Sequence, residues 1–178
     1  CKTDRENYEK YWDDISPFIK FGCLRDEKFA EKMDEYIIFK DLDGKYLTLK
    51  DYLEAAKDKH ENKVFYVTDE KEQSQYINMF RSQGMDAVIL KHNIDSAFIT
   101  HAERYNEHVT FQRIDADLTN DMKDESGEDL TDATNTLTDL FRKVLDKKDL
   151  TVKVENLKDE NVSSMVTLSE ESRRMQDM

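Results

Sequence analysis

The residues best suited to metal or nucleophilic chemistry are four histidines and two cysteines. His60, His92, His101 and His108 stand too far from one another, and from Cys1 and Cys23, to make the short-spaced ligand pairs of a structural zinc site. His101 falls three residues after Phe98 on the apolar side of a predicted helix. It reads as a half-buried imidazole satisfied by a backbone carbonyl, or as a general base working with Glu103 or Asp95. Cys23 follows Gly22 with no histidine nearby, and reads as a core thiol. Two thiols do not make a disulfide framework, and the pattern suits a reducing compartment. A calcium loop needs Gly at its sixth place and Glu at its twelfth. Counting back from Gly44 puts Phe39 first, which cannot ligate. Starting at Asp117 places Thr119, Asp121 and Glu128 well, but Met122 stands where Gly is required. The four glycines are 22, 40 and 43 residues apart, which excludes both G-x-G-x-x-G and a P-loop.

The elements that must carry these groups follow from apolar spacing. Tyr8, Tyr11, Trp12 and Ile15 fall on one face of an opening helix, which Pro17 interrupts or kinks and Gly22 stops. A second helix is predicted over 26–37, with Phe29, Ala30, Met33 and Ile37 as its stripe. Residues 41–44 are a turn, in which Gly44 supplies a positive φ. Thr48 and Asp51 form a loose capping box ahead of inward Leu49, Tyr52, Leu53 and Ala56. The apolar run 64–67 reads as a strand covered on both faces. Thr68 then caps a helix bearing Tyr76, Ile77 and Phe80, terminated by Gly84. A strand at 87–90, a helix capped by Asn93 with Ile94, Phe98, His101 and Tyr105 along one side, and a strand at 109–114 complete a β-α-β-α-β order. That order predicts a small parallel sheet wrapped by helices.

Residues 115–132 hold eight acidic residues and one Lys, and read as a solvated linker. Beyond it, Ala133, Leu137, Leu140, Phe141, Val144 and Leu145 mark an amphipathic helix from about residue 132. Residues 150–154 alternate as a strand with one wet face, with Val166 and Leu168 in a partner strand. Ser169, Glu170 and Glu171 open a last helix. The 178 residues carry 40 Asp and Glu against 27 Lys and Arg, a net charge of −13. Such a surface repels polyanions, which counts against nucleic acid. No apolar run approaches the roughly 18 residues of a membrane span. The chain opens on Cys1 and ends within a charged, helix-like stretch, so it reads as a piece of a longer protein.

Several runs together resemble the 90-kDa heat-shock chaperone family in its bacterial form. They are Phe-Ile-Lys-Phe-Gly-Cys-Leu-Arg-Asp over 18–26, Asp-Gly-Lys-Tyr-Leu-Thr-Leu-Lys-Asp-Tyr over 43–52, and Val-Phe-Tyr-Val-Thr-Asp-Glu over 64–70. Val-Lys-Val-Glu-Asn-Leu-Lys-Asp-Glu over 152–160 and Ser-Glu-Glu-Ser-Arg-Arg-Met-Gln-Asp-Met over 169–178 complete the set. The resemblance implies an α/β fold in three parts. Residues 1–39 would be a helical connector and 40–115 a small three-layer parallel-sheet unit, both of the middle domain. After an acidic linker over 116–131, residues 132–178 would begin a C-terminal α+β domain. It implies a fragment of an ATP-dependent, cytoplasmic chaperone that transmits conformational change and helps bind unfolded clients. ATP and magnesium would belong to the parent, upstream of Cys1, and self-dimerisation to helices beyond Met178. Catalytic, cofactor and metal residues are expected to be absent from the chain, as are nucleic-acid and membrane contacts. On the helix at 94–105, Ala97 stands where bacterial relatives can carry a Trp. Tyr8, Trp12, Phe98, Met165 and Met175 are the residues expected to offer a client or partner surface. The alternative is a non-enzymatic adaptor that holds one folded partner through a fixed aromatic patch.

Overall fold

The structure is a computed structural model that describes residues 4–116, 130–147, 150–154, 170 and 175. It divides into two compact units, one of Cys1–Asp117 with Val166–Met178 and one of Leu118–Met165.

The first unit opens with α1 (Arg5–Arg25), capped by the Asp4 carboxylate, which accepts from the Asn7 amide. The helix does not stop where expected. It runs through Pro17 and past Gly22, and buries Trp12, Ser16, Lys20 and Cys23 along one stripe. Proline removes one backbone donor and crowds the preceding turn; the buried stripe on both sides of Pro17 keeps the helix whole. That stripe also leaves Tyr11 50% exposed, although its spacing set it on one face with the buried Trp12. Gly22 has a different task from termination. A Cβ there would come 2.7 Å from the Phe29 ring of α2 (Glu27–Met33), so its missing side chain admits the second helix. Asp26 is the N-cap of α2, accepting from the amides of Lys28 and Phe29. A single 3₁₀ turn, Asp34–Tyr36, follows.

Strands β1 (Ile38–Asp41) and β2 (Tyr46–Thr48) form an antiparallel hairpin around the turn at Gly44, whose φ is +82°. The sequence reading placed the turn and missed its strands. The capping box formed as expected at α3 (Leu49–Ala56): the Thr48 hydroxyl accepts from the Asp51 amide, and the Asp51 carboxylate from the Thr48 amide. Next come β3 (Lys63–Val67), α4 (Ser74–Ser82), β4 (Val88–Ile89), α5 (Ile94–Tyr105) and β5 (Thr110–Arg113). Helix α4 starts six residues after Thr68. The intervening loop is tied instead by the Gln73 side chain, whose oxygen accepts from the Thr68 and Asp69 amides. Gly84, at φ +63°, sits just past α4 as expected.

The five strands lie in the order β2-β1-β4-β3-β5. The three expected strands pair in parallel, and the hairpin adds an antiparallel edge beside β4. Because β4 and β5 flank β3 on opposite sides, right-handed crossovers place α4 and α5 on opposite faces. Alternation along β3 sorts the core accordingly. Val64 and Tyr66 join a cluster with Trp12, Cys23, Phe98 and Ile99, whereas Phe65 meets Phe80 of α4 edge-on at 4.8 Å.

The described part of the second unit is α6 (Thr131–Leu145), ended by Asp146 at φ +51°, together with 146–147 and 150–154. Its stripe formed, and Leu140, Phe141, Val144 and Leu145 along it are exposed. Residues 150–154 alternate between half-buried and exposed positions, without strand pairing among the described residues. The expected partner strand at Val166 and Leu168, the start of the last helix at Ser169, and most of the acidic linker lie outside the described residues.

Candidate interaction groove

A buried charge pair joins α1 to α5. The Lys20 ammonium lies 2.5 Å from Asp95 Oδ1, with side chains 4% and 5% exposed. Asp95 Oδ2 accepts from the His92 amide at 2.9 Å, and the ammonium sits 5.6 Å from the centre of the Phe98 ring. A buried ion of either sign is tolerated only when paired and hydrogen-bonded, so the pair fixes how the two helices cross. Sequence reasoning missed Lys20. The available signal was its place at i+8 from Trp12, on the stripe that is buried.

Beside this crossing lies a half-open groove of about 270 Å³ between α2, α5 and the β1–β2 hairpin. Ile37, Phe39, Leu49 and Phe98 make its apolar wall, Cys23 lies at its base, and His101 and Tyr105 stand on the α5 side. Glu31 and Asp34 supply its acidic residues, and neither Lys nor Arg lines it. Glu27, Glu31 and Asp34 are spaced i, i+4, i+7, which puts three carboxylates along one side of the segment that forms this edge. Their field shows in the neighbouring groups. Burial pushes the Cys23 thiol above its ordinary pKa, and Asp34 adds to the effect. Desolvation raises the Tyr105 phenol, reinforced by Glu27, which also hydrogen-bonds it, and by Glu31.

His101 stacks on Tyr105 with ring centres 4.7 Å apart. The acids that sequence offered it are engaged elsewhere: Asp95 with Lys20, and Glu103 with the Phe111 amide at 2.7 Å. Neither of the two acids that the sequence offered is therefore left to work with His101. Among the described residues, no group of three or more His, Cys, Asp or Glu is placed to hold a metal ion. A second, polar crevice of about 280 Å³ lies where β3 and β4 end and α5 begins, lined by Thr68, Lys91, His92, Asn93 and Asp95. Ligands of doubly wound sheets bind at such strand ends. Here the first turn of α5 already holds its own carboxylate, Asp95, which disfavours an anion.

The residues expected to form a partner surface are scattered. Trp12 is 3% and Phe98 4% exposed, both in the core cluster, and Phe98 also forms part of the groove wall. Tyr8 is half-buried, its ring 5.3 Å from Trp12 and its hydroxyl donating to the Tyr36 carbonyl. Met175 is 69% exposed. Met165 lies outside the described residues. Apolar surface that sequence did not assign to a partner is found on α1, where Phe18 is 78% and Phe21 52% exposed. Among the described residues, no helix is long and apolar enough to cross a membrane.

The family model described as "Hsp90 protein" matches residues 1–177. A chaperone protein htpG of Bacteroides fragilis (strain YCH46) is 30% identical over 189 aligned positions, covering 99% of this chain and 28% of the relative. A chaperone protein HtpG of Porphyromonas gingivalis (strain W83) is 31% identical with the same coverage. An endoplasmin homolog of Hordeum vulgare is 23% identical, over 84% of this chain and 19% of its own. The chain thus spans less than a third of the length of the relatives it matches.

Proposed function

The chain belongs to the Hsp90 protein family, and on that premise we propose that it is a non-catalytic portion of an ATP-driven, cytoplasmic chaperone. In this reading residues 1–39 are a helical connector and 40–115 the small α/β unit of a middle domain. Residues 116–131 are an acidic linker, and 132–178 begin a C-terminal domain. ATP and magnesium are handled by other parts of the parent protein, which self-dimerises through C-terminal helices and clamps unfolded clients. This chain relays movement between domains and lends part of the client surface, including Phe98 and Met175.

The observation that carries the reading is the α1–α5 junction. Helix α1 has 21 residues and so spans about 31 Å. It is fastened to the sheet unit by a buried charge pair, Lys20 with Asp95. A helix held in this way moves with the sheet as one body, as a lever between domains must. Titration calorimetry of this chain with magnesium-ATP is expected to show no micromolar binding; a micromolar site would overturn the division of labour.

One observation favours the adaptor reading. Tyr11, Phe18 and Phe21 leave a fixed aromatic strip on the outer side of α1. Replacing Phe18 with Ser separates the two. Loss of a single partner, with melting unchanged, belongs to the adaptor. Client holding that survives the change belongs to the chaperone.

A further inference from the structure

We propose that the groove between α2, α5 and the β1–β2 hairpin binds a basic, apolar segment of an unfolded polypeptide, an inference that rests on the client-binding reading above. The volume of about 270 Å³ lies just below the range for drug-sized ligands, roughly 300–1,000 Å³. It suits one or two large side chains rather than a folded surface. Ile37, Phe39, Leu49 and Phe98 offer such side chains an apolar wall that tolerates more than one apolar residue type.

Charge complementarity selects the occupant. The acidic side of α2 and its following turn carries Glu27, Glu31 and Asp34, while Lys28 and Lys32 fall about 100° further round the helix. With Glu31 and Asp34 in its lining and no cationic side chain beside them, the groove repels an acidic segment. It attracts one that carries Lys or Arg next to its Leu or Phe. The half-exposed Tyr105 ring adds a face on which such a cation can rest. The thiol at the base takes no part: it is 1% exposed and its pKa is raised, so it presents little thiolate.

The test uses short fluorescent peptides and anisotropy at low salt. One peptide alternates Leu and Phe with Lys and Arg, a second flanks the same apolar residues with Glu, and a third is basic without apolar residues. The first is expected to bind and to weaken as salt is added. Glu31→Lys, on the surface, is expected to weaken it by about five-fold, the scale of an exposed ion pair lost and replaced by repulsion. Ala102→Phe, which fills the groove, is expected to abolish binding, with circular dichroism checking the fold. Equal binding of the Glu-flanked or the purely basic peptide overturns the proposal, as does wild-type binding by both variants. Suppression of aggregation of a denatured reporter protein is measured in parallel. If the reporter is protected while no peptide binds, or while both variants bind peptide and protect as the wild type does, the groove assignment fails and client binding stands. If neither reporter nor peptide is held, both fail.

Discussion

Replacing Lys20 with Met puts the α1–α5 junction to a quantitative test. The Met side chain keeps an apolar chain of similar length at the junction but leaves the Asp95 carboxylate buried, with the His92 amide still donating to it. Removing one member of a buried pair costs about 3–5 kcal/mol, because the surviving charge keeps its desolvation penalty and loses its partner. Against a total stability of roughly 5–15 kcal/mol, that is about a fifth or more of what holds a domain together. Adding Asp95→Leu removes the stranded charge. The double variant should recover most of the loss, short of about 1 kcal/mol for the forfeited cap on the His92 amide. Trp12 makes the measurement specific. It is the chain's one Trp and is 3% exposed in the core of the first unit, so its fluorescence in a urea titration follows that unit. Midpoints should shift with little change of slope. The reasoning is refuted if Lys20→Met costs under about 1 kcal/mol, or if the double variant loses the sum of the two single changes.

Three further outcomes are expected. Thr48→Ala removes the hydroxyl that caps the Asp51 amide and should cost about 1 kcal/mol in the same urea titration; no loss would mean the box is idle. Asp86 is raised above its ordinary pKa by burial, then by Asp41 and Asp43, despite bonds from the Ala87 and Leu42 amides. The stability such a carboxyl contributes is fully present below its unfolded value, near 3.8, and is lost as pH rises through the higher folded value. Asp86→Asn, able to accept the same two bonds, should therefore melt higher than wild type at pH about 7, with the advantage vanishing in acid; a lower melting point at neutral pH would contradict this. Glu170→Ala removes the acceptor of the Arg113 amide, and hydrogen exchange at that amide should accelerate; unchanged exchange would show the contact to be incidental.

What sequence made legible was local. The Thr48–Asp51 box, the left-handed glycines 44 and 84 and the apolar run of β3 each depend on neighbours within a few residues. The hairpin was hidden because Ile37 completes the apolar spacing of α2, so the predicted helix runs right up to β1 and leaves only three residues before the turn, too few to show an alternation. Its turn is also shaped from within: the buried Asp41 carboxylate accepts from the Asp43 and Lys45 amides. The start of α4 was misread because Thr68 and Asp69 look like a cap, yet their amides go to Gln73. Passage of α1 through Pro17 depends on burial against α5, which lies beyond the reach of propensity. The groove was half visible. Phe98, His101 and Tyr105 were read onto one side of α5, whereas the facing wall from α2 and the hairpin exists only after the chain folds. The Lys20–Asp95 pair joins residues 75 apart and leaves no local trace.

The sheet edges bear on how a partner is met. An open edge strand invites another chain to add to it. On β5, the Phe111 amide donates to Glu103 and the Arg113 amide to Glu170. On β2, the Thr48 amide donates to Asp51, and the Tyr46 carbonyl accepts from Arg5. An incoming strand would have to displace a carboxylate from each amide and place its own carbonyl there, exchanging charge-assisted bonds for the weaker neutral kind. That exchange is unfavourable at both ends of the sheet, so backbone pairing is the costly route onto this unit. Contact through side chains, in the groove or along the outer side of α1, requires no such displacement. On the client-binding reading proposed above, this arrangement would hold apolar side chains without offering the chain's own strands as a template.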